Sequence, residues 1–210
     1  MSEFPAASQY VIDTFSNYDD ALQRIYKETP EKGLPAISIS PEEGYFLQFL
    51  LRSINATNIL EIGTLGGFSA TWMARALPGD GSITTLELLD QHAAVAHEHF
   101  ELAGVSDTIE IVLGDARETI KTLDTIYDFI FIDAEKMDYQ LYYDWAVDHI
   151  RTGGILAFHN AFLGGQIIDK HSDNERVLEM QAFNKRVAQD SRVHCTIYPA
   201  GDGMLIAIRL

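Results

Sequence analysis

A single cysteine, Cys195, occurs in the chain. It rules out an intrachain disulfide and a cysteine-rich zinc site, agrees with a reducing cytosol, and leaves packing as the role of the thiol. Cations are scarce as well: 15 Lys and Arg stand against 31 Asp and Glu, a formal net charge of -16. Only Lys185 and Arg186 are adjacent, so the clustered positive charge that grips a phosphate backbone is missing and nucleic acid is excluded as a partner. An acidic surface repels anionic headgroups in the same way, and no apolar run approaches the ~20 residues of a membrane span. The opening MSEFPAASQY lacks the basic then apolar layout of a signal peptide. Internal repeats, low-complexity tracts and Pro, Gly or Ser linkers are absent too. These absences leave the expectation of one soluble, cytoplasmic domain over residues 1–210 that acts on a small molecule, with 47% hydrophobic residues to build its core.

Residues 8–28 place apolar side chains at helical spacing, broken near Asn17 to Asp20, which reads as two short helices. Next, SPEEGYFLQFLL opens a third, with Ser40 as N-cap, Pro41 at the first helical position and Glu43 three residues on, the pattern of a capping box. From residue 58 the runs NILEI, SITTLE, IEIVL, DFIFID and ILAFH alternate with amphipathic segments centred near 72, 97, 119, 144 and 181. Such alternation means parallel strands joined by helical crossovers, covered on both faces. Val193–Tyr198 and Met204–Ile208 flank PAGDG with no room for a helix, so the last strand returns antiparallel. The fold class is therefore α/β: a doubly wound, mostly parallel seven-stranded sheet, antiparallel at its last strand, with helices on both faces.

Ligands of such sheets bind beyond the carboxyl ends of the strands. The first strand runs out through Glu61, Gly63, Thr64, Gly66, Gly67 and Ser69, a turn that lets a ligand approach the backbone. Its spacing is not G-x-G-x-x-G, and it has no P-loop lysine, which disfavours a nicotinamide oxidoreductase. The second strand ends at Glu87, where a carboxylate suits a ribose diol or simply faces solvent. After the third come Asp115 and Ala116, suited to an adenine edge or to capping the next helix. The fourth ends at Asp133, Glu135 and Lys136, and the fifth at His159 and Asn160.

The motifs SPEEGYFL, ILEIGTLGGFSATWMARAL, TLE, GDA, FIDAEK, FNKRVAQD and GDGMLIAIR occur in order from about residue 37 to the end. With them the chain resembles the class I S-adenosylmethionine-dependent O-methyltransferases of the caffeoyl-CoA and catechol type, which have a Rossmann-like fold. The resemblance implies methyl transfer to a hydroxyl of a small, catechol-like aromatic, commonly by a homodimer. It implies donor contacts at Ser40, Glu61, Gly63, Thr64, Ser69, Glu87, Asp115, Ala116 and Glu135, with Asp133 near the reactive methyl. It also implies that the segment 1–39 covers the acceptor and that Lys136 lies beside the acceptor hydroxyl.

In that family a divalent cation binds both oxygens of a vicinal diol, as Lewis acid and template. The resemblance carries two of its ligands to Asp133 and Asn160, but His159 stands where an aspartate is usual. An imidazole there favours Mn²⁺, Fe²⁺ or Zn²⁺ over Mg²⁺ or Ca²⁺. Two further readings of His159 stay open: a metal-free general base, and a polar residue that merely hydrogen-bonds at a strand end. Leu163 also departs from the family, where Trp or Arg often walls the acceptor. His92, His97 and His99 share one helix without i, i+4 metal spacing and take a solvated or packing role. Without the aspartate, a catalytically silent donor-binding module remains the alternative to an enzyme.

Overall fold

The computed structural model describes residues 4–210; residues 1–3, the start of the expected 1–39 segment, lie outside the described residues. Strands β1 (Asn58–Ile62), β2 (Ser82–Glu87), β3 (Ile109–Leu113), β4 (Tyr127–Ile132), β5 (Ile150–Phe158), β6 (Val193–Tyr198) and β7 (Met204–Arg209) form one sheet in the order β3-β2-β1-β4-β5-β7-β6. Pairing is parallel from β3 through β5, and β7 alone runs antiparallel to its neighbours on both sides. The expected sheet, with its reversed last strand, is the one observed.

Alternation along the central strands explains why both faces need cover. Ile59, Phe129, Phe131, Ile155 and Ala157 enter one apolar layer, and Leu60, Ile62, Ile130, Ile132, Leu156 and Phe158 the other. Helices α1 (Ala6–Phe15), α2 (Asp20–Glu31), α3 (Pro41–Ser53), α4 (Phe68–Ala74), α5 (Asp90–Ala103), α6 (Ala116–Thr119), α7 (Tyr139–His149) and α8 (Glu175–Gln189) supply that cover. Leu22 of α2, Leu47 and Leu51 of α3, Trp72 of α4 and Phe100 of α5 pack on the first layer, while Tyr143 of α7 and Phe183 of α8 pack on the second. The helix expected near residue 119 shrinks to one turn and a 3₁₀ turn at Ile120–Thr122. Thr119 and Thr122 turn their hydroxyls onto the carbonyls of Asp115 and Thr119, the local bonding that makes threonine a poor helix interior residue.

The N-terminal helices are more than an appended cover. Asp19 caps α2 by accepting from the Leu22 amide, and Leu22, Ile25 and Thr29 are then fully buried. Tyr18 and Tyr26 pack their rings on Phe68. Cutting the chain at residue 30 would therefore open the core. Among the described residues no helix is long and apolar enough to cross a membrane.

Candidate active site

The strand order reverses between β1 and β4, and a cleft of about 1010 Å³ opens there along the carboxyl ends. The residue after each strand is still tied into the ladder: Gly63 N–H donates to Leu86, Gly114 to Glu87, Asp133 to Ile62 and His159 to Ile132, all at 2.8–3.0 Å. These bonds fix the places from which side chains enter the cleft. Gly63, with φ of 101°, is required by two facts at once: its conformation, and a Cβ there colliding with the Asp133 carbonyl.

One end of the cleft carries Thr64, Ser69, Glu87, Asp115 and Ala116, and Gly63 and Ser40 line the cleft as well. Glu87 is 7% exposed, and its carboxylate gathers four backbone amides, from Thr64 and Leu65 on one oxygen and Leu88 and Leu89 on the other. His92 Nδ1 stands 3.3 Å from it. Asp115 caps α6 through the Arg117 amide and pairs with the Arg117 guanidinium, which holds its carboxyl below the usual range. Glu135 caps the 3₁₀ turn at Lys136–Asp138 and lies 3.2 Å from Arg176.

Glu61 differs from the other expected donor contacts, because it lies fully buried beneath the loop and not on the cleft wall. It accepts from Ser69 Oγ at 2.5 Å and Thr85 Oγ1 at 2.6 Å, so it holds the Ser69 turn in place. Burial pushes its pKa up to about 8, against the pull of these two hydroxyls. The proton is thus bound more tightly in the folded state, and stability falls as pH rises from the ordinary carboxyl value to about 8. Glu61→Gln, neutral throughout, is expected to melt with the wild type near pH ~4 and to gain about 1–3 kcal/mol over it by pH ~8. Thermal melts across that range check this; an offset independent of pH would show that ionisation is not the cause.

The other end is a chain of buried charges. Lys136 Nζ donates to Asp133 Oδ1 at 2.8 Å and to Tyr139 Oη at 2.9 Å. Asp133 Oδ2 meets His159 Nδ1 at 3.0 Å, and His159 Nε2 meets Glu43 Oε1 at 3.1 Å. Glu43 Oε2 accepts from the Ser40 amide at 2.9 Å and hydroxyl at 2.8 Å, so the carboxylate that closes the capping box on α3 also faces the histidine. Tyr139 Oη shares its proton between the Ile132 and His159 carbonyls and so staples the ends of β4 and β5 together.

Imidazole between two carboxylates donates from both nitrogens and is a cation. Burial opposes that charge, but Asp133 and the hydrogen bonds to both carboxylates outweigh it and push the His159 pKa up to about 10. Burial likewise works against Asp133 and Glu43, yet the Lys136 and His159 charges hold Asp133 well below the usual carboxylate range, and the His159 bond lowers Glu43. In this arrangement both nitrogens of His159 face carboxylate oxygens and neither faces the open cleft as a free acceptor.

The other two members of the expected donor set are tied to neighbours as well. Both Asp133 oxygens are engaged, and Asn160, at φ of 56°, turns its amide to Asp202 Oδ2 at 3.2 Å. Among the described residues no group of three or more His, Cys, Asp or Glu side chains is arranged to hold a metal. The expected trio of Asp133, His159 and Asn160 lines one cleft, with Asp133 and His159 in contact with each other.

Leu163 and the helix histidines lie apart from the charged cluster. Leu163, at φ of 46°, packs towards the second apolar layer and not into the cleft. His99 is buried with Nδ1 2.7 Å from the Gly66 carbonyl, supporting the glycine turn, whereas His97 is exposed beside Glu101. Glu43, Tyr139 and Asp202 belong to the site and were not singled out for it by sequence. Tyr139, three residues beyond Lys136, offered the one local signal, a spacing that places both side chains on one side of a turn.

A doubly wound sheet with a glycine turn after its first strand, an acidic end to its second and a charged cluster after its fourth and fifth defines an α/β enzyme of the methyltransferase type. The O-methyltransferase family profile matches residues 13–210, and the chain belongs to that family. It is 37% identical to a catechol O-methyltransferase of Niastella koreensis over 98% of this chain and 97% of that one. Among solved structures, an O-methyltransferase from Bacillus cereus in complex with SAH superposes with a TM-score of 0.91 at 34% identity, covering 98% and 97% of the two chains. The O-methyltransferase TomG from Streptomyces achromogenes, in complex with SAM, gives 0.90 at 32% identity over 100% and 99%. This chain is accordingly an S-adenosylmethionine-dependent methyltransferase acting on oxygen.

Proposed function

We propose that the acceptor is a hydroxyl of a small, catechol-like aromatic molecule, and that the cleft divides between donor and acceptor at Asp133. The observation that carries this reading is the Lys136 ammonium: two of its three N–H donors go to Asp133 and Tyr139, which leaves one for a ligand oxygen. In this reading Gly63, Thr64, Ser69 and Glu87 hold the ribose and amino-acid parts of the donor, Asp115 and Ala116 the adenine, and Ser40, Asp133 and Glu135 the space around the methyl. Glu61 acts through Ser69. S-adenosylmethionine supplies a methyl on a sulfonium, ready for in-line displacement.

A free phenol has a pKa near ~10 and carries little phenolate at neutral pH. Lys136, backed by the His159 charge, stabilises the anion, so that the acceptor releases its proton to solvent on entering. Its oxygen then takes the methyl as the carbon–sulfur electron pair returns to sulfur. His159 is a positioning residue here, holding Asp133, which in turn orients Lys136. These steps use Lys136, Asp133 and His159 and route nothing through a divalent ion. A cytoplasmic homodimer completes the reading; the aromatic surface of exposed Phe49 on Phe46 and Tyr198 is the face we assign to the second copy.

Incubation with S-adenosylmethionine and catechol, followed by mass spectrometry, is expected to yield the monomethyl ether. Donor binding without any ether would favour a silent binding module instead. Glu87→Ala is expected to weaken S-adenosylmethionine by about 1–3 kcal/mol, the worth of hydrogen bonds to a charged acceptor. Calorimetry checks it, and an unchanged affinity would remove Glu87 from the donor site.

A further inference from the structure

The side chains at the ends of β4 and β5 depart from a cation site in one consistent direction. His159 is 4% exposed and Glu43 2%, and their side chains meet at 3.1 Å, so no ion stands between them. Ser40 holds Glu43 from one side, and on the other the carboxylate fills the space beside Gly201, where a Cβ would collide with it. Asp202, from the turn between β6 and β7, holds Asn160 by its side chain and the following loop through the Gly164 amide at 2.6 Å. Glu43, His159, Asp133 and Lys136 thus bond to one another in an unbroken chain.

A chelated metal grips two neighbouring oxygens and so demands a vicinal diol. Lys136 offers a single remaining N–H, which grips one oxygen. We propose that the Glu43–His159–Asp133–Lys136 chain replaces the divalent ion of the acceptor site, and that this enzyme methylates aromatic molecules with a single hydroxyl as well as catechols. The inference rests on the aromatic-acceptor reading above. It narrows that reading to acceptors held at one oxygen, with the second oxygen of a catechol idle.

Full-length protein freed of metal with chelator serves for the test. Mn²⁺ titrated into it and followed by its electron paramagnetic resonance is expected to stay free, with or without S-adenosylmethionine. In parallel, 4-ethylphenol and 4-ethylcatechol are offered as acceptors in the continued presence of chelator, and their kcat/KM values are expected to agree within about tenfold, as one-point binding requires. Stoichiometric Mn²⁺ binding, or turnover of the catechol alone and only when metal is restored, overturns the proposal while leaving the aromatic-acceptor reading intact. Turnover of neither acceptor overturns both. His159→Asp removes the bridge and supplies oxygen; folded by circular dichroism, it is expected to capture Mn²⁺ and to prefer the catechol. A folded His159→Asp protein that binds no more Mn²⁺ than the wild type would show that the histidine bridge is not what keeps the ion out.

Discussion

Lys136→Ala is expected to lower kcat for methyl transfer by about 10²–10³ while S-adenosylmethionine binds as before, the loss typical of deleting one preorganised donor to a developing oxyanion. Lys136 is well placed for that role because it is held rather than free. Asp133 and Tyr139 fix two of its hydrogens, and it is 8% exposed, so its charge acts where water screens little. The same substitution leaves the donor end untouched, since Glu87, Thr64 and Ser69 make no bond to it. Ethylammonium added to the variant should restore part of the rate by occupying the vacated space, which a general loss of folding would not allow. Steady-state kinetics with calorimetry for the donor decide it: a variant with wild-type kcat would mean that the acceptor oxygen is stabilised elsewhere.

The strand-end residues could be read from sequence because a parallel sheet sends every carboxyl end to one edge. Gly63, Glu87, Asp133 and His159 each follow an apolar run, and that is enough to gather them along one cleft. What the residues do to one another there could not be read. Glu43 lies 116 positions from His159, and its capping role on α3 already accounted for it locally, so nothing in SPEEGYFL pointed across the cleft. Whether an imidazole ligates, accepts a proton or bridges two carboxylates depends on how its ring is turned, and here Glu43 meets one nitrogen and Asp133 the other. Leu163 is a similar case: it has a left-handed backbone and packs on the second apolar layer. Glu61 was legible as a strand-end acid but not as a buried one, because its two partners come from the next helix and the neighbouring strand.

Removing the His159 side chain should cost more stability than any other single change in the cleft. His159→Ala leaves Glu43 and Asp133 without the cation between them, and breaking a buried pair from one side typically costs about 3–5 kcal/mol. In a chain of this size that lowers the melting temperature by about 2–4 °C for each kcal/mol. Its pH dependence separates lost charge from lost packing. His159 has its pKa raised on folding to about 10, so its contribution is complete below the unfolded histidine value, near ~6.5, and drains away as pH rises to about 10. Glu43 and Asp133 are lowered on folding, so theirs is present above ordinary carboxyl values and is lost as pH falls through them. The gap between wild type and variant should therefore be widest at about pH 5–6.5 and narrow towards pH ~10. Adding Glu43→Gln to His159→Ala should recover part of the loss, since it removes one stranded carboxylate and keeps its shape. Urea unfolding of the three proteins at both pH values measures this. A gap of the same size at each pH, unaltered by Glu43→Gln, would mean that His159 stabilises the fold by filling space, and that the chain of charges from Glu43 to Lys136 contributes nothing of its own.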